Sequence, residues 1–138
     1  MRNFIKSAPL YHTILLIDDD SEDQEIFKDA LKEVYPDILC VCCGDGEEAV
    51  LKLVELKIPK PDLLFIDLNM PKLNGKEVLK TLKNIESLKN IPIIMFSTFF
   101  ADLDKKELHE FGAVHSITKS PSFKELCNTL KETLSKKW

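Results

Sequence analysis

An unbroken apolar run, Leu63-Leu64-Phe65-Ile66, ends abruptly at an acid, Asp67, and four residues later the chain reaches Pro71. Four residues are too few for a helix, and an apolar residue at every position means that both faces are covered, so the run reads as a strand inside a parallel sheet. Met70-Pro71 and then Asn74-Gly75 break the pattern, which places Asp67 at the carboxyl end of the strand, on the lip of a loop. A lone carboxylate there is ordinarily a cap or a solvated strand end. The significance of Asp67 comes from a second strand that ends in the same way.

That second strand is Thr13-Ile14-Leu15-Leu16-Ile17, followed by Asp18-Asp19-Asp20. Ser21 with Gln24 makes a capping-box pattern, and Ile26, Phe27, Ala30, Leu31 and Val34 recur at helical spacing until Pro36. Ile38 to Cys43 reads as a strand, Gly44-Asp45-Gly46 as a turn, and Ala49, Val50, Leu53 and Val54 as one face of a helix. A third helix starts near Gly75 with Val78, Leu79 and Leu82 inward. Ile91 to Phe96 is a fourth strand, with Pro92 near its start where a missing donor is tolerated, closed by Ser97 and Thr98. Leu103, Leu108 and Phe111 mark a weaker helix ended by Gly112, and Ala113 to Ile117 is a short strand running into Thr118-Lys119-Ser120-Pro121. Phe123, Leu126, Cys127, Leu130 and Leu134 form the stripe of a final helix. Five strands alternating with five helices require parallel crossovers, hence an open α/β sheet with helices on both faces. We expect a tail over residues 1–12 and a single domain over 13–138.

Charge excludes one class of partner. The net charge is -4 and Arg2 is the only arginine among nineteen basic residues, which leaves little for arginine readout of nucleic acid. Cys42 and Cys43 point to opposite faces of a strand and cannot form a metal knuckle, so Cys40, Cys42, Cys43 and Cys127 read as reduced thiols of a cytoplasmic protein. Residues 1–12 hold Phe4, Ile5 and Leu10 but no sustained apolar run, and neither a secretory signal nor a membrane span is expected.

In a sheet of this kind ligands bind outside the carboxyl ends of the strands. Those ends carry Asp18, Asp19 and Asp20, then Asp67, then Ser97 and Thr98, then Lys119. Clustered carboxylates repel one another and are relieved by protons or by a hard divalent cation; magnesium suits an all-oxygen site that leaves room for phosphate oxygens. A carboxylate can also serve as a nucleophile and form an acyl phosphate, with a cation, an ammonium and a hydroxyl stabilising the transferring group. Taken singly, the three acids are equally well explained as caps, Lys119 as a surface lysine and the hydroxyls as loop polar groups. Their convergence on one edge of one sheet is what favours a site.

The sequence resembles the receiver domain of bacterial two-component response regulators, of which the chemotaxis regulator is a single-domain form. The matching stretches are Ile14 to Asp20, Asp67-Leu68-Asn69-Met70-Pro71 with Asn74-Gly75, Pro92 to Ser97, and Gly112-Ala113 leading to Lys119. The resemblance spans about residues 13–136 and implies a flavodoxin-like (βα)5 doubly wound sheet of five parallel strands in the order 2-1-3-4-5. It implies Asp67 as the phosphoacceptor, charged by a histidine kinase or histidine phosphotransfer protein. Asp18 and Asp19 become the acidic pair, Asp19 as the direct Mg2+ ligand and Asp18 through water, with Asp20 as an alternative member of the pair. Asp67 and the backbone carbonyl of Asn69 complete the metal site, Ser97 is the switch hydroxyl, and Lys119 pairs with phosphoryl oxygens. A downstream protein partner would bind the face of the fourth helix, fifth strand and fifth helix, the chain being a monomer or weak dimer without direct contact to nucleic acid or membrane.

Two positions depart from the family pattern. The aromatic residue usual three positions before the lysine is Ser116, and the proline that usually follows the lysine is displaced, giving Lys119-Ser120-Pro121. Without proline a cis bond costs about 3 kcal/mol, so the Lys119-Ser120 bond is expected to be trans. Of Phe99 and Phe100, at least one is expected to pack on the fourth helix, and Phe99 is expected to hinder the water that attacks the phosphoryl group. Two other functions fit parts of the pattern: a receiver-like adaptor that no longer takes phosphate, and a phosphohydrolase of the haloacid dehalogenase type. The second would need an acid two residues after its nucleophile, and that residue is Asn69.

Overall fold

In the computed structural model, which describes residues 9–138, strands and helices alternate without exception. They are β1 (Thr13–Ile17), α1 (Ser21–Val34), β2 (Leu39–Cys43), α2 (Gly46–Val54), β3 (Leu63–Ile66), α3 (Gly75–Lys83), β4 (Ile93–Ser97), α4 (Asp104–Glu110), β5 (His115–Thr118) and α5 (Phe123–Leu134). Every pairing is parallel and the strand order is β2-β1-β3-β4-β5. The expected flavodoxin-like fold is the observed one. Phe4 and Ile5 lie outside the described residues.

The sheet separates two apolar cores. Leu15, Ile17, Leu64, Ile66, Ile93 and Met95 face α2, α3 and α4, while Ile14, Leu16, Leu63, Phe65, Ile94 and Phe96 face α1 and α5. Both residues of each strand pair are needed, which is why β3 is an uninterrupted apolar run and is buried at all four positions. On the α1 side Phe27, Phe65 and Phe96 meet edge to face, with centroids 5.0 to 6.1 Å apart. Cys42 packs on this side and Cys43 on the other, as alternation requires, and all four cysteines are free.

Local chemistry shifts several boundaries. The cap of α1 is Asp20, whose side chain accepts from the backbone N–H groups of Glu22 and Asp23, so Ser21 is the first helical residue and the expected Ser21 capping box is absent. β2 starts at Leu39 and β4 at Ile93, one and two residues later than read, and β5 begins at His115 because Gly112 and Ala113 belong to the end of α4. There Gly112 takes φ +110° and Ala113 N donates to Leu108 O, a left-handed turn that suits glycine. The same turn closes α2 at Leu56, with φ 57° and Lys57 N donating to Lys52 O, yet a leucine occupies it with 79% of its surface exposed. Leu103, Val54 and Phe123, assigned to apolar faces, are exposed.

Tyr11, inside the stretch read as a tail, is buried. Its hydroxyl donates to Lys136 O (2.7 Å) and accepts from Trp138 N (3.0 Å), and the Trp138 ring stacks on His115 of β5 at 4.9 Å. The residues before β1 and after α5 are thereby tied together at one edge of the sheet.

Candidate functional site

Three backbone hydrogen bonds continue the parallel ladders one step past the strands: Asp18 N to Cys43 O (3.0 Å), Asp67 N to Ile17 O (2.9 Å) and Lys119 N to Ser97 O (2.7 Å). Because each strand is held by its neighbour up to the last residue, Asp18 and Asp67 leave the carboxyl edge on adjacent strands, and Lys119 leaves it two strands beyond Asp67, next to Ser97. The loop after Asp67 is then pressed against α3. A Cβ built on Gly75 would lie 2.3 Å from Asp67 O and 2.7 Å from Leu68 Cα, so only glycine lets the helix begin there.

One carboxylate oxygen each from Asp18, Asp19 and Asp67 lie within 4.8 Å of one another. Asp18 is fully buried, Asp67 nearly so, and Asp19 is exposed. Burial pushes the Asp67 carboxyl up to about 6; the charges of Asp18 and Asp19 add to the rise, and Lys119 and the N–H of Asn69 oppose it. Asp20 caps α1 and stands outside this cluster, so the acids that come together are Asp18, Asp19 and Asp67. An all-oxygen set with several negative charges in so small a space suits a hard divalent cation, and Asp18, Asp19 and Asp67 fit one.

Opposite the acids is the Lys119 ammonium, over the Phe96 ring at 5.3 Å from its centroid. Nζ donates to Asp18 Oδ2 at 2.7 Å and to Asp23 Oδ2 at 2.9 Å, and stands 3.6 Å from Asp67 Oδ2. Burial by itself would lower its pKa, but the bonds to Asp18 and Asp23, reinforced by the charges of Asp18 and Asp67, hold it above the usual lysine range. Asp23 did not figure among the residues expected at the site. With Asp20 as the cap, Asp23 becomes the third residue of α1 and points back to the strand ends; that cap identity is the signal which would have found it.

Ser97 is fully buried, and its hydroxyl accepts from Asn69 Nδ2 (2.8 Å) and donates to the carbonyl of Phe99 (3.1 Å). Asn69 N donates to Asp67 Oδ1 (3.1 Å), so Asn69 bridges acid and hydroxyl. Phe100 packs against the core beside α4, while Phe99 is 67% exposed. Ser116, paired in register with Met95, borders an open groove of about 320 Å³ between α4 and β5. No peptide bond among the described residues is cis, so Lys119-Ser120 is trans as expected.

A family model described as "Response regulator receiver domain" matches residues 14–131. Response regulator Rcp1 of Synechocystis sp. is 32% identical over 117 residues, which are 82% of this chain and 80% of that protein. Protein PilG of Pseudomonas aeruginosa is 29% identical over 118 residues, 86% of this chain and 84% of that protein. Among solved structures, the Mn(2+)-bound form of Rcp1 superposes with a TM-score of 0.80 at 30% identity, covering 90% of this chain and 92% of that one. The phosphorylated cyanobacterial phytochrome response regulator RcpA gives 0.81 at 30% identity, covering 89% and 91%.

Proposed function

The chain belongs to the response regulator receiver domains of two-component signalling, and from that membership we propose that Asp67 accepts a phosphoryl group and thereby switches partner binding. The observation that carries the reading is the meeting of Asp18, Asp19 and Asp67 within 4.8 Å, with the Lys119 ammonium 3.6 Å from Asp67 Oδ2. A carboxylate oxygen of Asp67 attacks the phosphorus of a phosphohistidine on a histidine kinase or phosphotransfer protein; the P–N bond breaks, the imidazole keeps the electron pair, and an acyl phosphate forms. Hydrolysis reverses the state when water attacks the same phosphorus and the P–O bond to Asp67 breaks.

Asp18, Asp19 and Asp67, with the backbone carbonyl of Asn69, would hold Mg2+, which supplies charge neutralisation of the phosphoryl oxygens. Lys119 moves from 3.6 Å into hydrogen-bond range of those oxygens, and Ser97 turns from Phe99 O to donate to one of them. Phe99, exposed beside this hydroxyl, limits the approach of water and prolongs the charged state. The chain passes one phosphoryl group per cycle and is a switch rather than a turnover enzyme. No helix among the described residues is long and apolar enough to cross a membrane; we assign the switch to the cytoplasm and its output to the face of α4, β5 and α5.

Intact mass after incubation with Mg2+ and a small phosphodonor tests the reading. One phosphoryl adduct that is absent from Asp67→Asn is the expected result. No adduct would favour a phosphate-independent adaptor, and rapid repeated consumption of the donor a phosphohydrolase.

A further inference from the structure

The Lys119 ammonium has two partners at hydrogen-bond distance, and they differ in what it costs them to lose it. Asp18 is wholly buried, and among the described residues its other oxygen accepts only from Asp20 N at 3.0 Å. Asp23 has 36% of its side chain exposed. Stripping the ammonium from Asp18 would strand a buried charge, whereas water can take its place at Asp23. Asp67, the proposed phosphoacceptor, is farther from Nζ than either.

We propose that Asp23 is a positioning residue that competes with the phosphoryl group for Lys119, holding the ammonium back from Asp67 until phosphate arrives. The inference rests on the phosphoacceptor reading. Its geometry is fixed by α1: the Asp20 side chain accepts from Asp23 N at 3.1 Å, and Gln24 Nε2 donates to Asp18 O at 2.6 Å, so the first turn is fastened to the end of β1 and keeps the backbone of Asp23 within reach of Lys119. Lys119 does not depend on Asp23 for its place. The Asp18 bond, the Phe96 ring beneath it and the Lys119 N to Ser97 O bond all hold it. Asp23 therefore biases the lysine between two sites, and its charge favours the unphosphorylated state of the switch. When the phosphoryl oxygens claim Nζ, the bond that breaks is the one between α1 and β5, and a carboxylate on the first turn of α1 is released to solvent.

Fluoroberyllate, which binds a carboxylate as a tetrahedral phosphoryl mimic, gives an equilibrium test by titration calorimetry in saturating Mg2+. Asp23→Asn is expected to bind it about fivefold more tightly than the native chain, the size of one half-exposed charge-assisted hydrogen bond. Without beryllium the same variant should unfold at slightly lower urea, so affinity and stability move in opposite directions, which general damage to the fold would not produce. Asp23→Glu should restore the native affinity. Unchanged or weaker binding by Asp23→Asn, with normal binding by the native chain, would overturn the competition and leave the phosphoacceptor reading intact; absence of binding by the native chain would overturn both.

Discussion

Asn69 Nδ2 lies 2.8 Å from Ser97 Oγ, so the hydroxyl expected to meet the phosphoryl group is already engaged, accepting from Asn69 and donating to Phe99 O. Its one proton can serve Phe99 or a phosphoryl oxygen, not both, which couples the site to the loop after β4. Ser97→Ala should still form the Asp67 adduct but lose this coupling. Hydrogen exchange of residues 98–101 is expected to change on phosphorylation of the native chain and stay constant in the variant. Leaving Asn69 Nδ2 without its partner should cost about 1 kcal/mol in urea unfolding.

Mg2+ should stabilise the fold by mass action, because the carboxylates proposed to bind it are brought together only in the native state. At ten times Kd the gain is about 1.4 kcal/mol, a rise in Tm on the order of 5 °C, and a chelator should abolish it. Asp19→Asn removes an exposed carboxylate proposed as a ligand. That variant should keep the Tm of the metal-free chain while needing about tenfold more Mg2+ for the same shift, measured by calorimetric scanning.

Leu56 occupies the left-handed turn that glycine fills at the end of α4. Its side chain is mostly exposed, so little packing is lost on removal, while the backbone is relieved. Leu56→Gly is expected to stabilise the chain by about 0.5–1 kcal/mol, read from the urea midpoint. A loss of stability would show that the leucine is held by contacts its exposure does not suggest.

Burial lowers the pKa of His115, the neighbouring Lys136 and Lys105 lower it further, and Glu132 opposes them. The unfolded chain therefore takes up this proton at higher pH than the folded one. The stability tied to neutral His115 is complete above about pH 6.5 and is lost as the pH falls through the folded pKa. Trp138 is the only tryptophan and stacks on the ring, so its emission should change over the same interval, while His115→Phe should flatten both curves.

The central features were legible because burial and chemistry coincide at them. A strand covered on both faces must be apolar throughout, so acids at the ends of β1 and β3 stand out against Leu16-Ile17 and Phe65-Ile66, and the sheet then brings them together. Boundaries were less legible where two neighbours can do the same job. Asp20 and Ser21 are both good caps, and the choice between them fixes the rotation of α1 and with it the place of Asp23. The bond from Asp23 to Lys119 spans 96 positions, and no local pattern reports it. The same holds for Tyr11, whose hydroxyl finds Lys136 and Trp138 at the opposite end of the chain.

The tight seat of Gly75 gives the acidic site an unusual point of fragility. A single methyl group there would collide with the carbonyl of Asp67 and push apart the loop and the helix that frame it. Every ionisable group would survive in the sequence, yet the Asp67 carboxylate would lose its place beside Asp18 and Lys119, because the loop that carries it owes its position to a hydrogen atom on a residue without charge.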